Sequence, residues 1–201
     1  MTSIALTGWV VFGALAFGLR SFLHWRQTGR TGFVGLSGRV GSVEWLGGVL
    51  FVVACVAGPG ALLVRHRWDT LDVPAMHALG MTLFAFGLVG TLWAQLSMGA
   101  SWRIGVDAAE RTTLVTRGPF RWVRNPIFTA MLLAVTGLGL LVPNAMSAIA
   151  VVVMLVAVEL QVRAVEEPYL VRSHGPDYRR WAAQTGRFLP GIGRLDATPG
   201  L

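Results

Sequence analysis

Two stretches of this chain carry side chains that can do chemistry. One is Leu114-Val115-Thr116-Arg117-Gly118-Pro119-Phe120-Arg121-Trp122-Val123-Arg124-Asn125-Pro126; the other is Glu166-Glu167-Pro168-Tyr169-Leu170. Carboxylates such as Glu166 and Glu167 bind a ligand ammonium, and Arg or Asn binds its carboxylate. Backbone at Gly118-Pro119 can approach a ligand closely because glycine has no side chain. Phe120, Trp122 and Tyr169 can pack against an adenine, or against a sulfonium by cation–π attraction. The set suits a zwitterionic, partly aromatic ligand, provided the chain brings the two stretches together. A competing reading remains open: the same charges can form an interfacial ion-pair network that fixes helix ends, since structural ion pairs also cluster.

The elements that must position these residues are membrane spans. Of 201 residues, 54% are hydrophobic and 13% charged, and the mean hydropathy is +0.60. Soluble domains carry about 25% charge, so the composition calls for a membrane protein of one unit. The net charge is +7 and every basic residue is Arg. These arginines sit in the gaps between apolar runs, which the positive-inside rule explains better than nucleic-acid binding does. Cys55 is the one cysteine and lies in an apolar run, where it packs as a small hydrophobe. His24, His66, His77 and His174 are scattered, so no metal site is expected.

A helix needs about 20 mostly apolar residues to cross the hydrocarbon core. Ile4 to Leu23 meets this and is read as a first span rather than a signal peptide, because no basic n-region or cleavage pattern is present. Arg20, near its end, is expected to snorkel to the interface. A glycine-rich basic loop follows, from Arg26 to Gly41. Its glycines can bind phosphate, but no Walker or Rossmann pattern is present, and a flexible interfacial loop is favoured. Val43 to Val64 is the second span, capped by Ser42, with Gly58-Pro59-Gly60 expected to kink or end it. Pro74 to about Leu96 is the third. The long polar connection from Ser97 to Arg124, with Asp107, Glu110 and Arg111, is too long for a simple turn. Segments Pro126–Val142 and Ala145–Val162 then form a hairpin around Pro143-Asn144.

Glu159, Arg163 and Glu167 are spaced four apart and would share one face of a continuous helix. Pro168 is expected to break that helix and to open an amphipathic one from about Pro168 to Gln184, with a further interruption at Gly175-Pro176. Leu170, Tyr178 and Trp181 would then lie at the membrane interface while Arg172, Arg179 and Arg180 face water. The first connection holds four arginines, the third five and the C-terminal region six; the second holds only Arg65 and Arg67. Five spans put the three rich groups on one side, predicted to be cytoplasmic, with the N-terminus outside.

The pattern Leu114-Val115-Thr116-x-Gly118-Pro119-Phe120-x-x-Val123-Arg124-Asn125-Pro126-x-Phe128, followed by Glu166-Glu167-x-x-Leu170, Gly175-x-x-Tyr178 and Arg187-x-x-Pro190, resembles the isoprenylcysteine carboxyl methyltransferase family. The related phospholipid methyltransferases share much of it. The resemblance spans residues 97–190, and several separated blocks occur in the right order. It implies an all-α, polytopic integral-membrane methyltransferase that uses S-adenosylmethionine: a three-helix anchor over 1–96 and a cofactor-binding core over 97–190, ending in a helical hairpin and an interfacial helix. Carried over by position, Leu114, Val115, Thr116, Gly118, Pro119, Arg124, Asn125 and Pro126 would line the cofactor site. Glu166 and Glu167 would approach the methionyl ammonium or ribose. Arg172 is a candidate for orienting an acidic substrate, and Arg172, Asn125 and Arg124 are the catalytic residues the resemblance implies. Many members have His where this chain has Asn125 and Tyr where it has Phe128, which bears on acceptor choice.

The expected activity is methyl transfer to a lipophilic acceptor, an isoprenylcysteine-like carboxylate or another small lipophilic carboxylate or thiol. It would occur at the cytoplasmic face of the plasma (inner) membrane. Phospholipid N-methylation and a non-catalytic scaffold of the same fold are the alternatives. Membrane lipids are the expected surroundings, and neither nucleic acid nor metal is expected as a partner. Trp93, Met98, Trp102, Phe128 and Met131 lie near the helix ends where such an acceptor would pass.

Overall fold

Hydropathy and end signals build five apolar helical segments. The structure is a computed structural model that describes residues 1–36, 38–64, 68, 70–104 and 113–196. Arg65, His66 and Arg67 of the second connection, and Asp107, Glu110 and Arg111 of the third, lie outside the described residues. Helix α1 is Thr2–Thr28, α2 is Val43–Leu62 and α3 is Pro74–Met98. The short α4 is Pro126–Leu141 and α5 is Ala145–Leu160. A π-helical turn, Gln161–Glu166, joins α5 to α6, Glu167–Gln184. Among the described residues, four helical runs are long and apolar enough to cross a membrane; α4, at 16 residues, is a shorter apolar segment. The fold is that of an all-α integral membrane protein, and among the described residues only two isolated β-bridges occur.

Local chemistry sets the ends. The Ser42 side chain accepts from the Trp45 amide at 3.2 Å, capping α2 as expected. That helix runs through Pro59 and stops at Leu62. Asn144 accepts from the Ser147 amide at 2.9 Å and donates to Ala61 O at 3.1 Å, so one side chain caps α5 and ties the hairpin turn to the end of α2.

Two expectations are corrected. The helix does not break at Pro168. Proline lacks an N–H and crowds the carbonyl four residues back; here the wider π turn absorbs both effects, and α5 continues into α6. That turn also rotates Glu167 off the Glu159–Arg163 face. Arg163 pairs with Glu159, while Glu167 pairs elsewhere. The interruption expected at Gly175-Pro176 is present, at Gly175, with φ +50° and ψ −122°. The second correction concerns Arg20. It does not snorkel: it is 3% exposed, donates to Gly99 O at 2.7 Å and lies 4.5 Å over the Trp102 ring. A π-helical segment, Ala14–Leu19, precedes it in α1.

Helices α3 and α4 cross at close range because glycines on each face the other's backbone. A Cβ on Gly87 would lie 2.6 Å from Ala130 O, and one on Gly137 would lie 2.5 Å from Phe84 N. Small residues permit such backbone approach between membrane helices. Gly87→Leu should therefore push α3 from α4 and cost about 1–3 kcal/mol, as overpacking does. Thermal unfolding in detergent reads this as a lowered midpoint, with Gly18→Ala, whose Cβ meets nothing within 4 Å, as the unaffected control.

Candidate functional site

The connections after α1 and α3 and the tail after α6 meet at one end of the bundle. Ile104 N donates to Gly32 O at 2.7 Å, and Val34 N donates to Ile104 O at 2.9 Å, so the glycine-rich loop is pinned to the third connection. Leu36 of this loop packs so closely on α2 that a Cβ on Gly48 would meet it at 2.8 Å. The loop expected to be a flexible interfacial segment is thus one wall of a cavity, contributing Phe33, Gly35 and Leu36.

That cavity has a volume of about 200 Å³. Its apolar lining includes Phe17, Phe51, Met98, Trp102, Phe128 and Met131, and its polar lining includes Gln95, Arg103, Asn125, Gln161, Glu166 and Trp181. Leu114, Val115, Phe120, Arg124 and Pro126 complete the part drawn from the motif stretch. Several polar atoms here are buried without a partner among the described residues: Gln95 Oε1, Arg124 Nε, Gln161 Oε1 and Trp181 Nε1. Buried polar groups are nearly always satisfied, and these four belong to residues of one cavity lining. Arg103 supplies positive charge at the Glu166 carboxylate and stacks 4.7 Å over the Tyr169 ring.

The two adjacent glutamates divide. Glu166 lines the cavity; Glu167 is turned away into an ion-pair cluster. Arg124 Nη2 donates to Glu167 Oε1 at 2.6 Å, and Arg187 donates to both Glu167 oxygens at 2.8 and 2.9 Å. The Glu167 carboxylate holds the Arg187 guanidinium above its ordinary pKa. Arg124 also donates to Ala182 O, Thr185 O and Gly193 O. The backbone joins in: Arg124 N donates to Gly186 O and Asn125 N to Arg187 O. Asn125 Nδ2 donates to Arg187 O at 3.1 Å, and Thr129 Oγ1 to Phe188 O at 3.0 Å. Gly186 is required here, because a Cβ would collide with Leu189 O in the tail's own turn.

Other candidates are placed differently. Gly118, with φ +61°, turns the chain against the end of α3, where a Cβ would meet Ser97 Oγ at 2.8 Å. Pro119 is buried beside it and Thr116 is exposed; none of the three lines the cavity. Trp122 packs against Trp93 with ring centroids 5.7 Å apart, and Tyr169 is buried beneath Arg103. Arg172 is exposed and away from the cavity. The apolar side of α6 is turned onto the site rather than laid against lipid: Tyr178 is fully buried, and Leu170 and Trp181 are cavity walls. Gln95, Arg103, Gln161 and Trp181 line the cavity although the motif pattern does not include them. Gln95 was a visible signal, as a lone amide inside an apolar span.

The Glu167 cluster yields a stability prediction. Glu167→Gln leaves the buried Arg124 charge without its counter-charge, which costs about 3–5 kcal/mol. The variant should melt earlier and be cleaved faster within the tail by limited proteolysis. Arg163→Ala removes only an exposed pair and should cost at most about 1 kcal/mol.

Comparison with known proteins agrees with this architecture. The chain is 30% identical over 148 residues to the cobalt-zinc-cadmium resistance protein CzcN of Cupriavidus metallidurans, covering 73% of this chain and 62% of that protein. It is 28% identical over 134 residues to the nickel-cobalt-cadmium resistance protein NccN of Alcaligenes xylosoxydans xylosoxydans, covering 65% and 58%. The chain thus spans about three fifths of the length of these curated relatives. In fold it is similar to the eukaryotic intramembrane Ras methyltransferase ICMT (isoprenylcysteine carboxyl methyltransferase). The TM-score is 0.64 at 16% identity, covering 96% of this chain and 68% of that one. Residues 75–177, from the start of α3 through the polar wall of the cavity to the middle of α6, match the phospholipid methyltransferase family, and the chain belongs to that family.

Proposed function

We propose that this protein transfers a methyl group from S-adenosylmethionine to a lipophilic acceptor. One observation carries the reading: a cavity that joins an apolar wall to buried polar atoms lacking partners in the protein. The polar side fits the cofactor's groups. Glu166 and Gln161 Oε1 suit an ammonium and ribose hydroxyls, while Trp181 Nε1 and Arg124 Nε suit acceptors such as a carboxylate or ring nitrogens. Leu114, Val115, Asn125 and Pro126 would border the same ligand. Thr116, Gly118 and Pro119 would act one step back, by shaping the loop. Glu167 and Arg124 hold the tail against the site, and Arg172 is left outside it.

The cofactor, when bound, supplies a methyl group already activated by its sulfonium. What remains for the chain is to exclude water and to hold the acceptor in line. The glycine-rich loop, the 113–125 stretch and α6 border the cavity for this purpose. An acceptor with an apolar chain would come from the bilayer, because exposing that chain to water costs about 25 cal/mol per Å². Met98, Trp102, Phe128 and Met131 border the space it would occupy; Trp93 packs outside. The arginine excess supports a cytoplasmic site in the inner membrane.

Incubation with methyl-tritiated cofactor and a lipid extract tests the activity. Label should enter the lipid fraction, and its release as methanol in base would mark an ester rather than an N- or S-methyl product. No transfer despite cofactor binding would favour a scaffold. Glu166→Ala should weaken cofactor binding by more than about tenfold, the loss expected for a charge-assisted bond, with the melting midpoint preserved. A C-terminal reporter active only outside the cytoplasm should stay silent.

A further inference from the structure

We infer that the corner formed by Arg117, Arg121, Trp122 and the exposed face of α3 binds an anionic phospholipid, taking its phosphate and one acyl chain. The inference goes beyond the methyl-transfer reading and does not depend on it. Four exposed apolar side chains of α3, Phe86, Val89, Trp93 and Leu96, are spaced three and four apart and so share one helix face. Trp93 sits near the end of α3 that leads into the third connection. Its ring meets Trp122 edge to face, with centroids 5.7 Å apart. The Arg121 guanidinium in turn lies 4.4 Å from the centre of the Trp122 ring. An apolar strip therefore starts in the middle of α3, passes through an aromatic pair and ends at a cation. From Phe86 to Trp93 it rises about 10 Å, roughly two thirds of the hydrocarbon depth of one leaflet. Acyl chain, ester region and phosphate of a phospholipid follow one another in the same order, with aromatic rings favoured at the middle level.

The corner is fixed by its own backbone. Gly118–Arg121 forms a 3₁₀ turn that separates the two arginines, and Gly118 abuts Ser97 at the end of α3. Ser97 Oγ donates to Trp93 O at 2.8 Å. Arg117 and Arg121 are both exposed, and neither guanidinium has a hydrogen-bond or ion-pair partner among the described residues. Arg163 and Arg180 differ, since Glu159 and Asp177 take their charges. Stacking on Trp122 restrains Arg121 without using any of its N–H donors, which stay available to a phosphate. The positive-inside rule accounts for arginines at this end of the bundle. It does not account for a guanidinium seated on an aromatic pair at the top of an exposed apolar strip.

The headgroup class follows from charge. A phosphate offers several acceptor oxygens to the two guanidiniums at once. A choline or ethanolamine headgroup would bring its ammonium beside them, and among the described residues no carboxylate pairs with either arginine. A headgroup without a cation avoids that repulsion, and each arginine adds attraction to an anionic surface.

The test titrates the full chain, delipidated in detergent, with dioleoyl phosphatidylglycerol, dioleoyl phosphatidylcholine or glycerol phosphate, and reads bound ligand by native mass spectrometry. The wild type should bind phosphatidylglycerol about tenfold or more tighter than phosphatidylcholine. Arg117→Gln and Arg121→Gln should each weaken phosphatidylglycerol binding about fivefold. Arg26→Gln, which removes an exposed charge from α1, should leave it unchanged. No preference for phosphatidylglycerol overturns the inference. An equal loss in Arg26→Gln also overturns it, as the mark of diffuse charge, and so does glycerol phosphate bound as tightly as the lipid, as the mark of a free-phosphate site. Both arginines lack protein partners, so the variants should keep the wild-type melting midpoint; if one does not, the wild-type lipid ranking and the other variant decide.

Discussion

One carboxylate organises the end of the bundle where the site lies. Glu167 accepts from Arg124 ahead of α4 and from Arg187 in the tail, so three segments far apart in sequence converge on it. The cluster is largely shielded from water: the Arg124 and Glu167 side chains are 1% and 11% exposed. Burying ions is costly, and the cost is offset only when the remaining donors are also satisfied. Arg124 meets that condition through three backbone carbonyls of α6 and the tail. Those carbonyls lie at or beyond the C-terminal end of α6, where cations are favoured. The clamp therefore ties the tail to α6 and to the start of α4 at the same time as it neutralises Glu167.

The neighbouring carboxylate has the opposite role because of helical geometry. Successive residues on a helix point about 100° apart. With Glu167 committed to the clamp, Glu166 is turned to the cavity. The π turn sets this phase. An ordinary α-helix would have placed Glu167 in line with Glu159 and Arg163, and the site would have lost its clamp. An acidic pair that reads as two equal ligand groups is thus one structural group and one group available to a ligand.

Much of the fold was legible from hydropathy. All five segments fall within a few residues of the apolar runs, and Ser42, Pro143-Asn144 and Gly175 punctuate the chain as turn chemistry requires. The π turns were not legible, since periodicity assumes a uniform helix; both Arg20 and Glu167 were misplaced for that reason. Nor was the role of the glycine-rich loop, which has no periodicity and becomes a wall only by pairing with Ile104. The cavity lining was legible where it follows a motif, at Leu114, Val115, Asn125 and Glu166. Gln161 and Trp181 come from helix faces whose composition reads simply as packing, and the Gln95 amide stands out in its apolar span without indicating what it faces. Their unpaired atoms become visible only once the backbone is in place.

The central claim is that the cavity between the 113–125 stretch and the 161–181 helix takes S-adenosylmethionine. Photochemical cross-linking of the radiolabelled cofactor to the purified protein, followed by peptide mapping, tests it most directly. The account predicts label on peptides containing Leu114–Val115 or Trp181, displaced by excess S-adenosylhomocysteine. Displaceable label confined to the far end of the bundle, around Trp68 and Pro143, would contradict it.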